Sequence, residues 1–135
     1  MLIGYASFLS IPITLNTWYH IALTKNGSNF YISVDGDTTL ISYVDLPTNV
    51  SVLCVGGRGN SSPFEWFDNG SISSFRVSDT PKYTSNFTVP SLPLAADAST
   101  TLLLLGKPDN PFGDSSRYNR VASGTCTVVN EPIIL

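Results

Sequence analysis

The chain has 135 residues, with seven Lys or Arg against ten Asp or Glu and a net charge of −3. That length suits one domain able to bury a core, and a chain with no basic excess offers no electrostatic footprint for nucleic acid. Only 13% of residues are charged, about half of the roughly 25% usual in soluble domains. Together with a positive mean hydropathy, this predicts a hydroxyl-rich, partly apolar surface suited to packing against neighbouring subunits.

In chain order, residues 3–7 read as an edge-like strand and residues 11–15 as a short one interrupted by Pro12. They precede any Lys or Arg and lack a small-residue cleavage pattern, so they read as strand and not as signal peptide. No segment reaches the roughly 18 apolar residues that a membrane-spanning helix needs. The strongest strands are 18–24 and 30–34, rich in aromatic and β-branched residues, flanking a short Asn26-Gly27-Ser28-Asn29 turn. In the second, Phe30, Ile32 and Val34 share a face. Asp35-Gly36 then supplies the positive-φ pair of a tight hairpin turn, and residues 38–44 return from it.

Pro47-Thr48-Asn49 breaks the chain, and 50–55 is a continuous apolar run expected as a central strand covered on both faces. Residues 56–63, from Gly56 to Pro63, read as a flexible loop. Further strands are expected over 64–67, 71–78, 100–105 and as a pair over 121–129 around Gly124. Residues 81–93 read as a Pro-studded connection and 108–114 as loop; the one candidate for helix is a single turn at 80–84. Short strands with Gly, Pro and Asn punctuation define an all-β antiparallel sandwich. Cys54 and Cys126, with no CxxC partner, argue against a zinc site and read as two reduced core thiols, a disulfide between them being the alternative. Five Asn-x-Ser/Thr sequons, at Asn26, Asn49, Asn60, Asn69 and Asn86, reflect a chain crowded with turn residues.

Four segments occur in an order that resembles one family. These are Trp18-Tyr19-His20-Ile21-Ala22-Leu23-Thr24 with its hairpin, Val52-Leu53-Cys54-Val55-Gly56-Gly57, Phe67-Asp68-Asn69-Gly70-Ser71-Ile72 running to Arg76-Val77-Ser78, and Lys82-Tyr83-Thr84-Ser85-Asn86-Phe87-Thr88-Val89-Pro90. The set resembles laminin-G-like, concanavalin A-like jelly-roll domains, and the last segment resembles the version found in phage structural proteins, tail fibres in particular. The resemblance covers about residues 15–95. Most of the strands that open such a domain are missing before Trp18. Instead, Thr101-Leu102-Leu103-Leu104-Leu105 and Asp114-Ser115-Ser116-Arg117-Tyr118-Asn119 resemble that opening segment. The chain therefore reads as a single shortened jelly roll over 1–135. Residues 1–95 match the family, and 96–135 carry the opening strands moved to the C-terminus. They either complete their own sandwich or exchange with a neighbour.

The resemblance implies a non-enzymatic virion structural protein of a phage, either capsid-decorating or part of a tail or fibre. It would be homo-oligomeric, partnered by other virion proteins, and in contact with host surface glycans in one version of the reading. The alternative is a carbohydrate-binding, lectin-like module with calcium as its cofactor. The paired carboxylates that glycoside hydrolysis requires are poorly provided for. The only glutamates are Glu65 and Glu131, and Glu65 and Asp68, three apart, point to opposite faces of an extended strand. His20, the sole histidine, reads as a structural strand residue, not a metal or triad member. Asp35, Asp37 and Asp45 are weak calcium candidates, since hairpin-tip chemistry is the better account of Asp35-Gly36-Asp37. Arg58, Asn60, Phe64, Trp66 and Asn69 form the candidate contact surface, with the aromatics as stacking platforms or interface anchors.

Overall fold

The computed structural model describes residues 12–41 and 70–121, together with the backbone pairing of 57–58 and 65–66. The described residues are all-β and contain no helix. β1 (Ile21–Asn26), β2 (Asn29–Val34) and β3 (Asp37–Ile41) form a three-stranded antiparallel meander in the order β1-β2-β3. β4 (Gly57–Arg58) pairs with β5 (Glu65–Trp66), and β6 (Phe75–Ser78) pairs with β7 (Thr100–Leu104), both antiparallel. This all-β, antiparallel arrangement is consistent with a β-sandwich.

Local chemistry sets both hairpins of the meander. Gly27 takes φ 60° at the first central position of the β1–β2 turn, the place where a two-residue hairpin demands glycine. At the β2–β3 turn both Asp35 (φ 49°) and Gly36 (φ 90°) lie in the left-handed region, as a type I′ turn requires. Register follows from these turns. Ile21, Leu23, Phe30, Ile32, Val34 and Ile41 line one face, and Thr24, Ser33 and Thr38 the other. Phe30 and Ile32 are buried, in agreement with the shared apolar face read from alternation, whereas Ile21 and Leu23 at the edge are half exposed.

Several boundaries move. The strand expected from residue 18 starts at Ile21, because the backbone N–H of His20 donates to the Asp35 carboxylate (2.8 Å) instead of to a ladder carbonyl. Residues 12–14 carry no strand; Leu15-Asn16 turns, and the Thr14 N–H donates to the Tyr19 hydroxyl. The strand expected over 71–78 is confined to Phe75–Ser78, and the helical turn expected at 80–84 is replaced by bends. Within the stretch read as loop over 56–63, Gly57–Arg58 is paired as β4. The expected strands at 3–7, 50–55 and 122–129, and both cysteines, lie outside the described residues.

β7 is the C-terminal leucine run, and it pairs with β6 of the same chain through Phe75↔Leu104, Arg76↔Leu103 and Val77↔Leu102, with a bulge at Val77/Ser78. Leu103 and Thr100 are fully buried there.

Candidate functional site

The densest arrangement of functional groups lies where residues 83–91 cross the end of the meander. The segment is held to the β2–β3 turn by main-chain and side-chain bonds. Phe87 N–H donates to the Gly36 carbonyl (3.0 Å), Thr38 N–H to Asn86 Oδ1 (2.9 Å), and Thr38 Oγ1 to the Ser85 carbonyl (2.9 Å). Ser33 Oγ joins Thr38 Oγ1 at 2.8 Å, so this pair of hydroxyls is satisfied through the crossing segment. Gly36 has no room for a side chain, because a Cβ there would collide with the Phe87 carbonyl oxygen. Sequence reasoning placed Gly36 in the turn; the close backbone approach is a second reason for glycine at that position.

His20 continues the parity of Ala22 and Thr24 and therefore meets the same segment. Its ring stands edge-on to Tyr83 (5.6 Å, 89°) and Phe87 (5.5 Å, 74°), which stack on each other at 3.8 Å. Arg76 of β6 donates from Nη2 to the Tyr83 hydroxyl (2.9 Å), linking the second sheet to this aromatic group. Beside it an open cleft of about 460 Å³ is lined by Trp18, Asp35, Thr88, Val89, Pro90 and Ser91. One aromatic side chain, one carboxylate and two hydroxyls give it a mixed, shallow character without a basic group.

A second node is built around Asp114, which sequence reasoning did not single out. The buried carboxylate accepts from Leu103 N (2.9 Å), Ser116 N (2.8 Å), Arg120 N (2.7 Å) and the Ser116 hydroxyl (2.8 Å). Burial alone would raise its pKa. The backbone donors of Arg120, Leu103 and Ser116 together outweigh burial and bring it down to about 2. Asp-x-Ser at 114–116 is the local signal that would have found it, since such short polar side chains bond the backbone two residues on. Asp97 plays a related part at the start of β7. It accepts from Ser99 N and Thr100 Oγ1 and pairs with Lys82, whose ammonium is the main cause of its strongly lowered pKa.

Of the contact surface read from sequence, the structure places Arg58 on β4, paired with Glu65, and Trp66 on β5, paired with Gly57. The two sit on successive rungs of one short ladder. Asn60, Phe64 and Asn69 lie outside the described residues, as does Asp45. Asp35 and Asp37 belong to the hairpin. Asp35 Oδ1 accepts from His20 N, and Asp37 Oδ1 accepts from Asn86 Nδ2 at 3.4 Å. Among the described residues no three His, Cys, Asp or Glu side chains are grouped as metal ligands. Comparison with protein-family models, curated proteins and solved structures finds no match for the chain.

Proposed function

We propose that this chain is a non-catalytic structural component of a phage particle, a shortened jelly-roll sandwich used in capsid decoration or in a tail fibre. The observation that carries the reading is the behaviour of residues 82–90, the segment most like phage structural proteins. Its residues Ser85, Asn86 and Phe87 serve the fold, fastening a connection across the β2–β3 turn. The antiparallel pairing of Thr100–Leu104 with Phe75–Ser78 supports the C-terminal leucine run standing in for a missing opening strand. The described carboxylates Asp35, Asp97 and Asp114 all hold backbone in place, which supports a structural module over a hydrolase. Low charge and half-exposed Ile21, Leu23 and Leu40 support burial against other subunits, with Arg58, Asn60, Phe64, Trp66 and Asn69 as the contact surface toward virion partners or host glycans.

Two measurements on one variant test this. Trp66→Ala should weaken assembly into oligomers or particles more than it lowers the melting temperature. A specific interface needs at least about 1,000 Å² with aromatic anchors near its centre. A Trp66→Ala protein that is destabilised yet assembles normally rejects the interface role. Failure to detect the chain by mass spectrometry in purified particles rejects the virion reading itself.

A further inference from the structure

His20 Nδ1 is closed to solvent and has no hydrogen-bond partner; among the described side chains it is the one buried polar atom so placed. Natural folds rarely leave such an atom unpaired without a reason. We propose that His20 is an acid-sensitive latch: protonation of its half-buried ring, whose Nδ1 is closed to solvent, releases residues 83–87 from the β1–β3 sheet while the sheet itself persists.

The geometry separates what the backbone of His20 does from what its ring does. The backbone belongs to the sheet, since Asp35 N–H donates to the His20 carbonyl (2.9 Å) and His20 N–H donates to Asp35 Oδ1 (2.8 Å). The ring belongs to the crossing segment through its edge contacts with Tyr83 and Phe87. A neutral imidazole is apolar enough to lie against that stacked pair of rings. An imidazolium has N–H donors at both nitrogens, one of them at Nδ1, where neither water nor an acceptor meets it, and leaving that donor unpaired is costly.

Charged and titratable groups reach His20 from three described elements. Arg76, on β6, opposes a second positive charge. Asp35, in the β2–β3 turn, favours it, but that carboxylate is exposed and screened and already accepts the His20 backbone N–H. Tyr83, in the crossing segment, has its hydroxyl engaged by Arg76. Burial is the largest influence and Arg76 the second, and both lower the pKa of His20 from 6.5. A folded-state value below the unfolded one means that this stabilisation is complete above about pH 6.5 and declines as the pH falls below it. The remaining fastenings of the segment, from Asn86, Ser85 and Phe87 to Thr38 and Gly36, do not titrate in that range. Acid therefore raises the frequency of opening without melting the meander.

The test uses the full chain. His20 is the only histidine, so its ring proton resonances are unambiguous in an NMR titration from about pH 8 to about pH 5. The expected midpoint lies below 6.5. Hydrogen exchange at the Phe87 amide, corrected for intrinsic rates, should accelerate several-fold between about pH 7.5 and about pH 5. The β1–β2 amides should not accelerate. His20→Phe keeps an aromatic ring without a titrating nitrogen, and its Phe87 opening should be flat across the same range. A midpoint at or above 6.5 overturns the latch, and so does equal acceleration in β1–β2 or the same acid response in His20→Phe. If that variant does not fold, the wild-type titration and the contrast between Phe87 and β1–β2 decide alone.

Discussion

The meander and the β6–β7 ladder are both small antiparallel units, yet they are held in opposite ways. In the meander, neighbours in sequence pair through two-residue turns, and the crossing segment is fastened mainly by neutral amides, hydroxyls and aromatic rings, with Asp37 and Arg76 adding one contact each. In the β6–β7 unit the partners are more than twenty residues apart, and the loops around them are organised by carboxylates: Asp97 before β7 and Asp114 after it. The first unit is specified by conformational preference at Gly27, Asp35 and Gly36, the second by charge-assisted bonds at a distance. The chain thereby protects its local and its distant pairings from different perturbations.

The largest effect is expected where one side chain satisfies most. Asp114→Ala leaves the amides of Leu103, Ser116 and Arg120 without their acceptor, and one such buried donor costs roughly 1–3 kcal/mol. A loss of about 3 kcal/mol is expected in denaturant melts, with the β6–β7 unit failing first in hydrogen exchange. The wild type should show the same dependence on pH. The Asp114 carboxyl is held at about 2 against an ordinary 3.8, so its contribution is present above about pH 4 and disappears as the pH falls toward 2. An Asp114→Ala protein with an acid limb as steep as the wild type would show that another carboxylate governs that transition.

Gly36→Ala strikes the meander instead. It puts a side chain at φ 90° and against the Phe87 carbonyl. About 2 kcal/mol is expected, from left-handed strain plus displacement of the crossing segment. Exchange should rise at Phe87 and stay unchanged at Leu103, and equal rises at both would erase the proposed independence of the two units. The smallest effect is expected for Asn86→Ala, which removes one acceptor from the exposed Thr38 amide and should cost about 1 kcal/mol or less.

The same contrast governs what was legible in the sequence. The meander was readable because its determinants are adjacent in the chain: Gly27 and Asp35-Gly36 fix the turns, and Phe30, Ile32 and Val34 alternate. The leucine run at 100–105 announces a strand, but nothing local names Phe75–Ser78 as its partner, which only the folded structure reveals. Asp114 was missed because its four donors are brought to it by folding, and only the Ser116 contacts are local. The His20 enclosure was missed because Tyr83 and Phe87 lie more than sixty positions away. His20 is expected inside a strand and instead lies one residue before β1, while its one orphaned nitrogen is a property of packing that no spacing encodes.

The fastening between Asn86 and the β2–β3 turn also dictates an order of events. The hairpins of the meander close over a few residues, a process of roughly 1–10 μs. The Thr38–Asn86 and Thr38–Ser85 bonds join residues 48 and 47 apart, so they must wait for a long loop whose closure entropy is not recovered until the segment docks. Docking therefore belongs after the folding barrier, on its native side. In stopped-flow chevrons the penalty of Asn86→Ala should fall on the unfolding limb and leave the refolding limb where it was. A slowed refolding limb would mean instead that the chain finds its crossing segment before it completes its hairpins.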